Sequence, residues 1–377
     1  MTVTLSNARI VTPEGVVAGS LAMADGLITA IDSGASSAGL DCEGDWLIPG
    51  IIDIHTDNLE RHFFPRPNID WDPVSAAIVH DGLCISVGVT TVYDSMSVGS
   101  FGLAAARTPD NLHRLTAGLH TAVAGGMLKA DHRIHWRCEA PSDVLADWLP
   151  PLAELPLTGL FSLMDHTPGQ RQYRNATRFF TNWRKEGLSE ADIEARMAER
   201  AERVARNDAR NRRFVAGIAH GMGLPLASHD DETVAHIDDA ASHGVTIAEF
   251  PVTAEAAEAA RAHGMCVIMG GPNLIRGGSY SGNVPASELI ESGMHIGFAS
   301  DYVPRSLVEC AFALANGRWG LPIERAVDTV TGAPARAMRL DDRGALLPGR
   351  RGDVVRVRQQ QGQVMVRGVW VEGQRVG

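Results

Sequence analysis

The chain is short of most features that would assign it to a special class. Its 377 residues hold no apolar run near the roughly 18 residues that a membrane-spanning helix requires, so no membrane partner is expected. The five cysteines, Cys42, Cys84, Cys138, Cys266 and Cys310, are scattered singly without a CxxC pair, which excludes a disulfide scaffold. Met1 to Ile10 alternates polar and apolar residues and lacks a basic-then-apolar leader; together with the dispersed cysteines this points to a reducing, cytoplasmic setting. Basic residues are outnumbered, 34 Lys and Arg against 45 Asp and Glu, for a net charge of −11 and a pI of about 5.7. A general nucleic-acid surface is therefore not expected, while a small anionic substrate held by a local basic cluster stays open. There is no internal repeat and no low-complexity segment.

What is there, 45% hydrophobic content over this length, suffices for one large core with a satellite domain. Both ends read as short strands and turns: Val3 to Leu5, Ala8 to Val11 and Leu27 to Ile31 after Asp25-Gly26, then Asp353 to Val357 and Val364 to Val371 around Gly362 and Gly368. Residues 1–46 and 345–377 are thus expected to pair into one small β domain. Between them, residues 47–344 alternate. Strand-like runs end at His55, Asp94, Glu139, Asp165-His166, Ser228-His229, Glu249, Gly270-Gly271 and Ser300-Asp301, with helical stretches such as Val74 to Val87 and Asp110 to Ala124 between them. Eight such units predict an α/β fold, a (β/α)8 TIM-like barrel with a small β-sandwich domain built from both termini. Its active site would lie at the C-terminal strand ends. A helical insertion near 170–215 carries a Ser189/Asp192 capping box, Glu199/Arg203 and Glu202/Arg206 pairs, and a thin apolar stripe of Ile193, Met197 and Val204. It reads either as a solvated helix on the barrel edge or as a homo-oligomer interface.

His55 and Asp57 stand two apart at the end of the first strand, so their side chains share a side. Asp57 with Glu60 also fits a helix N-terminal box, and His55 alone could be a bonded core histidine. The set decides more than any member. His55, Asp57, Glu139, His166, His229 and Asp301 all fall at one end of alternating strands, enough nitrogen and carboxylate ligands for two divalent ions.

Pro49-Gly50-Ile51-Ile52-Asp53-Ile54-His55, between β-rich termini and ahead of a barrel ending at Asp301, resembles the amidohydrolase superfamily. Within that superfamily, four strings are similar to the phosphonate-metabolism diphosphatases: His55 to His62, Arg137-Cys138-Glu139, Met164 to Gln170 and Gly271 to Ser279. The resemblance implies a divalent centre, with two zinc ions expected. It also implies hydrolysis of α-D-ribose 1-methylphosphonate 5-triphosphate to the 5-phosphate and pyrophosphate in carbon–phosphorus lyase catabolism. The chain departs from the broad pattern in three places. Asp57 replaces the second histidine of His-x-His, no lysine ends the fourth strand so that Glu139 is the available bridge, and Glu249 stands where the sixth strand usually has a histidine.

A triphosphate held by an acidic protein demands local donors. Arg171 and Arg174 follow His166, and Asn273, Arg276, Gly277, Gly278 and Ser279 follow the seventh strand, where glycines let backbone N–H groups approach phosphate. Arg305 is a weaker candidate, and Asp301 is the expected general base. The competing readings are an amidohydrolase acting on a C–N bond and a non-catalytic metal-binding scaffold.

Overall fold

The computed structural model describes residues 2–66, 69–99, 107–173, 177–185, 187–279 and 282–377. Eight parallel strands follow one another in order: β1 (Ile51–Thr56), β2 (Val89–Val98), β3 (Asp131–Glu139), β4 (Thr158–Met164), β5 (Leu226–His229), β6 (Ile247–Glu249), β7 (Cys266–Gly270) and β8 (Gly297–Ala299). The ring closes just beyond β8. There Asp301 pairs parallel with Thr56, the Asp301 N–H donates to the His55 carbonyl at 2.9 Å, and the Asp57 N–H donates to the Asp301 carbonyl at 2.9 Å.

Burial on both faces explains the apolar strand runs. One face of Ile52, Ile54, Tyr93, Leu160, Ala227, Ile247, Ile268 and Ala299 fills the barrel, and the other packs on the helices through Val92, Met96, Trp136, Cys138 and Leu163. The expected barrel is therefore present, and β2 is the one strand whose end differs from expectation. It runs on to Val98, which leaves Asp94 in mid-strand. Asp94 is buried between β2, β3 and helix Pro73–Ser86, its two oxygens 2.7 Å from His80 Nε2 and 2.8 Å from His132 Nδ1. Asp81 completes the group, accepting the Lys129 and Ala130 N–H groups and lying 3.4 Å from His132 Nε2. A periodicity that alternates polar and apolar cannot tell a buried ion-pair network from a strand end.

The long helix Glu190–Gly221 begins at Ser189, whose reciprocal capping box with Asp192 is formed as expected. It extends past Phe214 because Val215, Ala216 and Ala219 are buried against the barrel. Arg203 meets Glu199, but Arg206 reaches Asp143 instead of Glu202. Two buried asparagines tie this helix to the loop after β3: Asn207 donates to the Pro141 carbonyl and Asn211 to those of Ala140 and Ser142.

The terminal strands Val3–Thr12, Gly15–Ala24, Leu27–Ser33, Val354–Gln360 and Gln363–Val371 share one eight-stranded sheet with Trp46–Pro49. That strand runs into β1 through Gly50, where a Cβ would lie 2.1 Å from the Thr90 hydroxyl, so only glycine fits. Gly362 turns a hairpin with Gln361, both at positive φ, whereas Gly368 lies inside a strand beside a bulge. Among the described residues no helix is long and apolar enough to cross a membrane.

Candidate active site

The strand ends converge on a histidine cluster. His55 is the penultimate residue of β1, and its ring lies 5.0 Å from that of His135 on β3 and 5.4 Å from that of His229 at the end of β5. Its Nδ1 is 3.2 Å from Oε1 of Glu249, the last residue of β6. His135 is engaged at both nitrogens, by Ser162 Oγ at 2.8 Å and the Ile54 carbonyl at 3.1 Å. His229 differs: buried at 4% exposure, it has no hydrogen-bond partner among the described residues at either ring nitrogen, although Asp230 Oδ2 lies 2.8 Å from Nδ1 outside bonding geometry. Glu249 Oε2 likewise has no hydrogen bond among the described residues, its nearest imidazole nitrogen being His135 Nε2 at 3.7 Å.

Buried polar atoms are nearly always bonded, so these orphans mark a ligand's place. Three overlapping groups have ligand atoms within 4.8 Å of one another: His55/His229/Glu249, His166/His229/Asp230 and His55/Asp57/Asp301. Imidazole nitrogens with carboxylate oxygens suit zinc or a similar divalent ion. The electrostatics agree. Burial, and then the Arg137 guanidinium, lowers His55 to about 3, and burial carries His229 well below the usual range, so both are neutral as metal ligation requires. By contrast, the His80/Asp94/His132 group has each carboxylate oxygen of Asp94 already met by an imidazole.

The expected site residues fall into distinct places. His55, Asp57 and Asp301 come together in one group and His166 and His229 in another. Glu139, expected as a bridge, stands behind His166 instead: one oxygen accepts the His166 backbone N–H at 2.7 Å and the other meets Nδ1 at 2.7 Å. Burial would raise its carboxyl, but the His166 contacts outweigh that and lower it. Glu249 is the carboxylate lying between the histidines. Asp57 Oδ1 accepts from Arg137 Nη1 at 2.7 Å, and that guanidinium, with His55, overcomes burial to hold the carboxyl well below its ordinary range. Among the described residues Asp301 has no such counter-ion at contact distance. Burial, and then Asp57, pushes it up to about 7.

A cavity of about 490 Å³ opens over Asp230 and Asp301. Asn273, Arg276, Gly278 and Ser279 line it, joined by Arg61, Gln172 and Tyr302; Gly277 is not among the lining residues. Arg276 Nη1 donates to the Tyr302 hydroxyl at 3.2 Å and the Arg61 guanidinium lies 5.9 Å from the same ring, which gives the rim two cations. Asn273 pins the loop, accepting from the Ala286 N–H at 2.9 Å and donating to the Val284 carbonyl. Arg171 is elsewhere: 4% exposed, it donates to Asp231 Oδ1 at 2.5 Å and to the His229 carbonyl, tying its loop to the end of β5. Its charge is therefore engaged beneath the site, and its neighbour Gln172 faces the cavity. Arg174 lies outside the described residues. Arg305 pairs with Glu309 on its own helix face. A larger cleft, about 1040 Å³, lies on the terminal sheet beside Met23 and Trp370, but it holds none of the candidate ligands.

Sequence reasoning missed Arg137, Asp230 and Tyr302, whereas Arg61, which the sequence leaves as either substrate-facing or structural, lines the cavity. Arg137 had a signal: it is two residues before Glu139 on one strand and so shares its face. Asp230 had none, since its left-handed φ of 57° turns it back beside His229 where strand periodicity would send it away.

Comparisons with known proteins fit this architecture. The chain is 40% identical over 378 residues to the alpha-D-ribose 1-methylphosphonate 5-triphosphate diphosphatase of Escherichia coli (strain K12), covering 99% of each protein. Among solved structures, a 5-methylcytosine deaminase from Klebsiella pneumoniae liganded with phosphonocytosine matches with a TM-score of 0.66 at 17% identity, covering 99% of this chain and 97% of that one. A triazine hydrolase variant matches with a TM-score of 0.65 at 14% identity, covering 99% and 94%. Both show the shared fold. Residues 186–376 match the model of the amidohydrolase family, and with the full-length relative this establishes that the chain belongs to the amidohydrolase family.

Proposed function

We propose that this chain is a metal-dependent hydrolase that cleaves α-D-ribose 1-methylphosphonate 5-triphosphate to α-D-ribose 1-methylphosphonate 5-phosphate and pyrophosphate, a step of phosphonate catabolism. The observation that carries this reading is the 40% identity to the Escherichia coli diphosphatase over 99% of both chains. The geometry supports it. A cavity with Arg61 and Arg276 at its rim is lined by Asp301 and Asp230, one member each of two ligand groups, so phosphate charge and a candidate base meet in one place.

His55, His229 and Glu249, with His166 and Asp230 beside them, would hold the ion, and zinc fits the donor set. Once bound, the ion supplies positive charge at a phosphoryl oxygen and makes water more acidic. The chain does the rest. Arg276 and Arg61 hold the outer phosphates, and the backbone of the Gly277-Gly278 turn, both residues at positive φ, lets the triphosphate approach the loop closely. Asp301 accepts a proton from the attacking water as its oxygen bonds to the α-phosphorus. The bond from that phosphorus to the bridging oxygen breaks, and pyrophosphate leaves with the electron pair toward the arginines. The five cysteines are unpaired and four are buried, which supports a reducing, cytoplasmic setting.

Phosphorus NMR of the zinc-loaded protein with the triphosphate in ¹⁸O-water tests the reading. The expected result is pyrophosphate as the first phosphorus product, with the label in the 5-phosphate. Release of orthophosphate first, label in pyrophosphate, or no turnover would overturn it.

A further inference from the structure

Arg137 is a cation placed among the ligands rather than on the cavity rim. It is the third residue from the end of β3, on the inward face with His135 and Glu139, and its side chain is 9% exposed. Nη1 donates to Asp57 Oδ1 at 2.7 Å, and Nε lies 3.3 Å from the Met164 sulfur. That same Oδ1 is the atom 4.0 Å from His55 Nε2. The carboxylate that would turn His55 toward a second ion is therefore already neutralised by a guanidinium fixed in the barrel wall.

The remaining groups limit the count further. His55/His229/Glu249 and His166/His229/Asp230 share His229. A neutral imidazole keeps a proton on one nitrogen and ligates through the other, so His229 serves one ion at a time. The third group, His55/Asp57/Asp301, shares His55 with the first and is the one in which Arg137 engages a ligand.

We propose that Arg137 is a positioning residue that takes, as a fixed guanidinium, the place beside Asp57 that a second divalent ion would fill, so that the centre holds one ion. This departs from the two ions expected from the sequence, and it rests on the hydrolase reading only in taking the histidine cluster as the metal centre. Its chemical logic is a trade of a mobile charge for a permanent one. A guanidinium stays protonated throughout the working pH range and cannot be lost to a chelator. Asp57 is thereby held in one rotamer, ionised, next to the base Asp301.

Zinc counting tests it without reference to turnover. The protein, stripped by chelator, is reloaded with excess zinc, desalted and measured by elemental analysis, with folding checked by circular dichroism. The wild type should retain about one zinc per chain, and Arg137→Met about two, because Asp57 becomes available beside His55 and Asp301. Arg137→Lys, which keeps a cation there, should stay at about one, and adding Asp57→Asn to Arg137→Met should return the count to about one. Two zinc ions in the wild type, or an unchanged count in folded Arg137→Met, would overturn the proposal. Where Arg137→Met does not fold, the wild-type count decides. The two readings fail separately. One zinc with no triphosphate cleavage leaves the role of Arg137 standing and removes the assigned reaction, while two zinc ions with cleavage does the reverse.

Discussion

Raising the pH should loosen the barrel at a point remote from its ligands. His132 on β3 lies between Asp94 and Asp81, with His80 and Cys84 of helix Pro73–Ser86 on the far side of Asp94. Burial alone would lower its pKa, but Asp94 and Asp81 outweigh burial and raise it from 6.5 to about 9, so the folded chain holds an imidazolium there at neutral pH. The Cys84 thiol is driven well above its ordinary value by burial and stays neutral, so it does not oppose this charge. A group whose pKa is higher folded than unfolded stabilises fully below the unfolded value and loses that contribution as the pH rises through the folded one. The window is therefore 6.5 to about 9. At about 1.4 kcal/mol per tenfold change in proton affinity, the ceiling is on the order of 3 kcal/mol. An unfolding entropy of roughly 2.1 cal/mol/K per residue over this chain converts that to about 4 °C in Tm. Thermal unfolding of wild type and His132→Gln, each at about pH 6 and about pH 10, isolates the effect from the rest of the titration. The wild type should lose about 4 °C more than the variant between the two pH values. Parallel losses would refute the argument, because they would mean that His132 carries no extra proton in the folded state.

Three further outcomes follow from the site. Asp301→Asn should leave the fold intact and cut kcat by roughly a hundredfold or more; near-normal turnover would remove Asp301 as the base. Arg276→Ala should raise KM for the triphosphate by about 10-fold to 100-fold with kcat little changed, since a charged hydrogen bond is worth roughly 1.5–3 kcal/mol; an unaltered KM means that the glycine loop does not hold the phosphates. Glu139→Gln should weaken zinc binding by roughly 10-fold to 100-fold through a misoriented His166, and excess zinc should restore turnover; equal zinc affinity in a direct titration would show that Glu139 does not act through His166.

The barrel was legible because its strands are buried on both faces and end in polar residues, a pattern that survives in one dimension. His55, His229 and Glu249 could be found by that rule. Asp94 obeyed the same rule and is nevertheless mid-strand, because a carboxylate bonded to two imidazoles can be buried where a lone one could not. Arg171 was misjudged for the complementary reason. Proximity to His166 in sequence suggested proximity to phosphate, whereas a left-handed φ of 53° and the pull of Asp231 turn it under β5. The choice between Glu139 and Glu249 depended on which strand end faces which imidazole, a matter of register across the barrel that no local window contains.

That register explains why the seam between β8 and β1 matters more than its few bonds suggest. The Asp301 N–H closes the barrel onto the carbonyl of His55, and the Asp57 N–H returns to the carbonyl of Asp301, so three candidate site residues carry the closing hydrogen bonds through their own backbones. Asp53, fully buried one layer below, accepts the His55 and Ser300 N–H groups and holds the two strand ends level. Burial pushes its carboxyl up to about 7. Asp301 itself needs a φ of 54° to leave β8 and face the cavity. The backbone pairing at Thr56 holds that turn where β8 meets β1. Closure is thus what places the base within 4.8 Å of the ligand atoms of His55 and Asp57, and the site's geometry is a property of the whole ring rather than of the strand ends taken one at a time.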